Sequence, residues 1–246
     1  MKYQTLQIFR PLISKNISQL FGSNLACINS QGKIFGVKHS CPSNSQSFYK
    51  SLGMKGHSGV DIPAIIGEEV YHSATFNGWL HHDRDSEGGI GVDIVSNEPL
   101  FFAFPIPPEL FQTAIPYEQD GVNGFIHYVK IRNWHLSQGI GAEGKQVTCG
   151  TVVGLAGNTG ASSGPHLHYA PKWCAKDGRG VASDNGYTGA FDPNPYYNHS
   201  VTAKDHATWL NKNIVPLSEY EQKDINTQLS MAKKLLLELQ KLIHKV

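Results

Sequence analysis

Five side chains constrain this chain more than anything else in it: His57, Asp61, His135, His166 and His168. They fall in His57-Ser58-Gly59-Val60-Asp61, in Trp134-His135-Leu136 and in Ser163-Gly164-Pro165-His166-Leu167-His168. A fold that uses them has to bring three distant segments to one place. Four imidazoles and a carboxylate are the set a hydrolytic zinc site needs, three to hold the metal and two to handle protons and a developing oxyanion.

Spacing sharpens the reading. His57 and Asp61 lie four apart, the offset of a helical ligand pair, but Gly59 and Pro63 argue for a loop leading into a strand. Leu167-His168-Tyr169-Ala170 reads as a short strand, so His166 and His168, two positions apart, share a face. With His168 as third ligand, a two-histidine, one-aspartate set leaves Zn²⁺ with net positive charge that acidifies a bound water. His135 and His166 then stand beside the metal. A neutral imidazole there can take a proton, and an N–H can stabilise an oxyanion. Gly164-Pro165 restricts the backbone ahead of His166. The chain has 12 histidines, and the rest read differently. His81 and His82 are adjacent and in a strand point to opposite faces. His39, His72, His127, His199, His206 and His244 read as surface or satisfied interior residues.

Composition suits a turn-rich β protein better than a helical bundle. The 246 residues are 40% hydrophobic and include 25 Gly, 13 Pro and 25 aromatics (Trp 4, Tyr 10, Phe 11). A formal charge of +1 gives no basic excess for nucleic acid. No apolar run approaches the ~18 residues of a membrane span. The N-terminus lacks the apolar stretch and cleavage site of a signal peptide, which leaves a cytoplasmic chain, a mature form or release by another route. Cys27, Cys41, Cys149 and Cys174 form no CxxC pair. An even number admits two disulfides, but without an export signal compartment logic favours free buried thiols.

Along the chain, residues 1–56 read as an irregular lead-in with short strands. Residues 69–74 lead toward Asn77-Gly78, a hairpin signal, with Trp79-Leu80 resuming the strand. Residues 90–95 alternate as a half-buried strand, and 125–134 and 147–157 are strand-like. Segment 97–124, with Phe101-Phe102-Ala103-Phe104-Pro105, reads as a long inserted loop, either functional or packed on the domain's flank. Beyond residue 200, a linker leads to Ser218-Glu219-Tyr220-Glu221, a capping box. Ile225, Leu229, Ala232, Leu236, Leu239, Ile243 and Val246 then form a heptad seam, which predicts an amphipathic helix over 218–246. It can dock on the domain or self-associate, and its short length favours docking.

On GHSGVDI (56–62), WHLSQG (134–139) and GTVVGLAGNTGASSGPHLHY (150–169), the chain resembles the M23 metallopeptidases, the lysostaphin- and LytM-like zinc endopeptidases of bacterial cell walls. The resemblance covers about residues 17–196. It implies zinc ligands at His57, Asp61 and His168 and catalytic histidines at His135 and His166. It also implies a mainly β, antiparallel-sheet core with a groove across the metal, inside a domain over residues 1–200. The implied substrate is peptidoglycan, its stem peptides or cross-bridges, so the implied place of action is the cell wall, whether periplasm, cell surface or virion-delivered. A non-catalytic regulator or a phage-tail component retaining the fold is the alternative. Two departures stand out: Tyr169-Ala170 replaces the family's frequent Phe-Glu, and segment 97–124 is longer than usual.

Overall fold

The frame of the fold is one long strand whose residues alternate by environment. In a computed structural model, which describes residues 2–14 and 16–213, Val129, Ile131 and Asn133 are fully buried on one face of this strand. Lys130, Arg132 and Trp134 take the other, as the two-residue period of a strand requires.

In chain order the strands are β1 (Ile8–Arg10), β2 (Ala26–Asn29), β3 (Ile34–Gly36), β4 (Ser45–Ser47), β5 (Val60–Pro63) and β6 (Glu69–Tyr71). Then come β7 (Gly78–Asp85), β8 (Gly89–Ser96), β9 (Leu100–Phe102), β10 (Ile115–Gln119) and the frame strand β11 (Val122–Leu136). The last are β12 (Gln138–Gly139), β13 (Gln146–Val147), β14 (Val152–Leu155), β15 (His166–Cys174) and β16 (Tyr197–Thr202). Two α-helices are described, α1 (Phe48–Ser51) and α2 (Ala203–Asn213). The main sheet runs β13-β7-β8-β11-β15-β5, all antiparallel, with β9 and β10 also pairing β11. A smaller antiparallel sheet, β12-β14-β6, lies apart from it in the pairing, as does the sheet β3-β2-β4. β1 and β16 pair in parallel. The protein is thus mainly β and antiparallel, as expected.

Register decides which residues share a face. Ile131 opposes Ile94, and Asn133 opposes Val92 and Tyr169, so these side chains join Ile62, Leu80 and Leu167 in the core. On the opposite face, Arg132 opposes Asp93, Trp134 opposes His168, and His168 opposes Asp61. That face is polar yet largely covered, which is why β8, expected half-buried, is buried along nearly its whole length. Asp93 is satisfied there by a two-point bond from Arg132 (Nε and Nη2, 2.8 Å each) and by Lys130 Nζ at 2.8 Å. Fixed geometry of this kind is what a buried carboxylate needs.

Several expectations are corrected. Segment 97–124 is not a loop throughout: it holds β9 and β10, both hydrogen-bonded to β11. Phe101 and Phe102 are buried, with Phe102 stacked on Phe125 at 5.2 Å, and the prolines that argued against a strand fall after it. Asn77-Gly78 makes no hairpin, because β6 and β7 belong to different sheets. Gly78 instead opens β7, where a Cβ would meet Ile94 Cγ2 at 2.6 Å, so its glycine serves a close approach. Of the lead-in, expected to hold short strands, residues 17–22 contribute a single bridge, Gln19 to Asp61. Residues 203–213, expected as linker, form α2, whose Ala203 packs with Phe9 and Tyr71. Cys27 and Cys41 form a disulfide, whereas Cys149 and Cys174 are free. Compartment reasoning failed for the first pair because its segment has little core of its own. The helix expected over 218–246 lies outside the described residues. Among the described residues no helix is long and apolar enough to cross a membrane.

Candidate metal centre

The structure brings all five sequence-predicted residues together. Asp61 sits in β5 directly opposite His168 in β15, which fixes two of them by ladder register alone. His57 lies in the loop before β5, anchored by hydrogen bonds from its own N–H to Ser23 O (2.9 Å) and from Gly22 N to its carbonyl (2.8 Å). His166 is two residues before His168 on the same strand face, as expected, with its Nε2 at 3.5 Å from Asp61 Oδ1.

His135 arrives by a different device. The β8–β11 pairing shifts register between Asn133 and Leu136, and His135 takes φ 64°, in the left-handed region. A bulge of this kind re-aims a side chain at a cost of ~1–3 kcal/mol, and such strain tends to gather at functional sites. Here its amide donates to Gly88 O (2.9 Å) instead of the neighbouring strand, and its ring lies 4.6 Å from that of His166.

Three ligand atoms converge. His57 Nε2 is 2.9 Å from His168 Nδ1 and 3.0 Å from Asp61 Oδ1, and His168 Nδ1 is 3.2 Å from the same oxygen. Tetrahedral bonds of ~2.0 Å place ligand atoms about 3.3 Å apart, so this triangle fits an ion of zinc's size. All three residues are buried, and among the described residues they form the group that could hold a metal ion. His57 Nδ1 faces Leu20 O at 3.3 Å, which orients the ring and leaves Nε2 turned toward the other two ligand atoms.

Electrostatics favour the metal-binding protonation states. Burial pushes His168 down to about 3, so its imidazole is neutral at pH 7 with no proton to displace. Burial alone would raise Asp61, but His57 and His168 reverse this and hold its carboxyl well below the usual carboxylate range. His135 is pushed down to about 4, first by burial and then by His166. Both flanking histidines are oriented through Nδ1: that of His135 donates to Thr159 O at 2.8 Å and that of His166 to Gly164 O at 2.8 Å. Each Nε2 is thereby left for chemistry.

Other contributors carried no separate signal in the sequence. Thr159 and Gly164 act through backbone carbonyls, which any residue type supplies. Gly59 had a signal, its place inside the HxxxD motif, but its role is now specific: a Cβ there would meet the His168 ring at 2.9 Å and Tyr169 O at 2.6 Å. Tyr49 packs its ring 5.4 Å from that of His57 and accepts a hydrogen bond from Gln19 Nε2 at 2.5 Å. Arg132 lies 4.4 Å above the Trp134 ring, and Trp134 in turn flanks His168 at 6.0 Å, so the buried ion pair braces the site. The remaining histidines stay outside. His81 bonds Glu143, His82 faces Gly141 O, and His72 and His127 are buried against backbone carbonyls. His244 lies outside the described residues.

No family model and no curated protein matches the chain. Solved structures do. The chain is similar to the catalytic domain of lysostaphin from Staphylococcus simulans, at 24% identity over 58% of this chain and 79% of that one, TM-score 0.39. A zinc-containing peptidase from Vibrio cholerae matches at 22% identity over 71% of this chain, TM-score 0.40, and the chain spans 38% of its length. LytU matches at 20% identity over 74% of this chain and 83% of that one, TM-score 0.40.

Proposed function

We propose that this protein is a zinc-dependent endopeptidase that hydrolyses peptide bonds of bacterial peptidoglycan. In this reading His57, Asp61 and His168 hold the metal, and His135 and His166 are the catalytic pair. The observation that carries it is the buried triangle of two imidazole nitrogens and a carboxylate oxygen, with two more imidazoles beside it. A mixed nitrogen and oxygen donor set of three suits catalytic zinc, which keeps a fourth position for a reactant. The motif resemblance to M23 peptidases supports the substrate class.

Bound at this triangle, Zn²⁺ supplies Lewis acidity that lowers the pKa of water and polarises a carbonyl. The chain's own residues do the rest. His135, kept neutral by burial and held through Nδ1 by Thr159 O, presents an Nε2 lone pair able to take a proton from the attacking water. His166, held through Nδ1 by Gly164 O, would in its protonated form present an Nε2–H to the oxyanion that develops as the peptide carbonyl is attacked. The Asp61 carboxylate at 3.5 Å would balance that charge.

His135→Ala tests the division of labour. It is expected to keep stoichiometric zinc, measured by elemental mass spectrometry, while peptidoglycan cleavage drops by about 10²–10⁴-fold. Cleavage at the wild-type rate would remove His135 from the chemistry.

A further inference from the structure

The cleft that contains the metal triangle has two unlike walls. One is polar, with Glu87, Ser162 and Ser163. The other is apolar and comes from residues that precede the HxxxD motif: Ala26, Ile34, Phe48, Leu52 and Met54. These five side chains are half-buried or exposed, and none belongs to the packed clusters of the core. Apolar surface left out of a core and gathered at a reactive site is surface kept for a ligand.

The segment carrying them is built to hold that wall still. β2 pairs with both β3 and β4, and the Cys27–Cys41 disulfide ties β2 to the chain between β3 and β4. Ser47 caps α1, which places Phe48 and Leu52 around the same turn of chain. Asn24 Nδ2 donates to Lys55 O at 3.2 Å, and Lys55 N donates to Gly186 O at 2.9 Å, which fastens the segment beside His57. Tyr49, buried between this segment and His57, links the wall to the metal triangle.

We infer that Ala26, Ile34, Phe48, Leu52 and Met54 form a side-chain subsite that selects a peptide carrying an apolar residue next to the bond being cut, in preference to glycine. The inference rests on the zinc reading above. The occupant is a substrate side chain because the apolar residues and the ligand atoms line one continuous cleft, so a group bound at the triangle leaves its neighbouring side chain in the same cleft.

The test uses two zinc-anchoring probes that differ only in side chain, N-acetyl-leucine hydroxamate and N-acetylglycine hydroxamate, titrated calorimetrically into the zinc-loaded full chain. The leucine probe is expected to bind about tenfold more tightly, the gain from burying part of one leucine side chain. In Ile34→Ser and in Leu52→Ser, that ratio is expected to fall below about threefold, while the glycine probe, which reports an intact site, keeps its affinity. Equal affinity of the two probes for the wild type overturns the subsite and leaves the zinc reading standing, as does a tenfold ratio that survives both substitutions. Failure of both probes to bind overturns the zinc reading and the subsite with it.

Discussion

At the residue scale, the site was legible because metal chemistry demands particular side chains, and their flanking glycines mark close packing. Gly59 shows what the motif conceals: its missing Cβ is the space in which the His168 ring sits. Gly59→Ala is therefore expected to displace that ring and weaken zinc binding by about 10–100-fold, on the scale of lost outer-shell support, read by competition with a chromogenic chelator. Unchanged zinc affinity would mean the ring has room to move. Backbone donors and acceptors were not legible, since Thr159 O and Gly164 O depend on chain path alone. The same holds for burial. His72 lies fully buried, donates through Nε2 to Phe76 O at 2.8 Å, and is pushed down to about 4 by its surroundings. Between the unfolded value of ~6.5 and about 4, the unfolded chain binds the extra proton, so stability is complete above this window and is lost as pH falls through it. Urea unfolding of the metal-free protein from pH 7 to pH 4 should show this loss, and His72→Gln should reduce its slope. An identical slope in the variant would assign the loss to other groups.

At the element scale, periodicity served well where one face is buried and poorly where local signals compete with tertiary context. β11 and β15 follow from alternation, and β15 places His166 and His168 on one face as their spacing required. β15 nevertheless continues through Pro171 to Cys174, because past Tyr169 it has left its register with β5 and a missing N–H costs little there. Asn77-Gly78 carried hairpin chemistry without partners to pair, and 97–124 was obscured by prolines that end β9 rather than prevent it. The Cys27–Cys41 bridge was beyond sequence, since spacing does not give connectivity. Closing a loop with a sequence separation of 14 removes unfolded-state entropy worth about 3 kcal/mol. Replacing both cysteines with serine should therefore raise hydrogen exchange in β2–β4 while leaving β11 and β15 protected. Equal protection of β2–β4 in both proteins would show that the segment holds without its staple.

At the scale of the whole molecule, one antiparallel sheet performs two tasks with its two faces. Ile62, Ile94, Ile131 and Leu167 build the core on one side. On the other, Asp61, His168, Trp134, Arg132 and Asp93 link the candidate metal triangle to a buried ion pair. The fold class was legible from the β texture and the spacing of the motifs. The apolar wall of the cleft was not, because Ala26, Ile34, Phe48, Leu52 and Met54 have no period and belong to neither core cluster. The proposed reaction is cleavage of peptidoglycan peptides in this cleft with zinc held by His57, Asp61 and His168. Mass spectrometry of purified peptidoglycans of several cross-link types, digested with zinc-loaded protein, tests it most directly. New amino and carboxyl termini are expected within stem peptides or bridges, absent from digests with His168→Ala. Stoichiometric zinc with no new termini from any peptidoglycan type would contradict it.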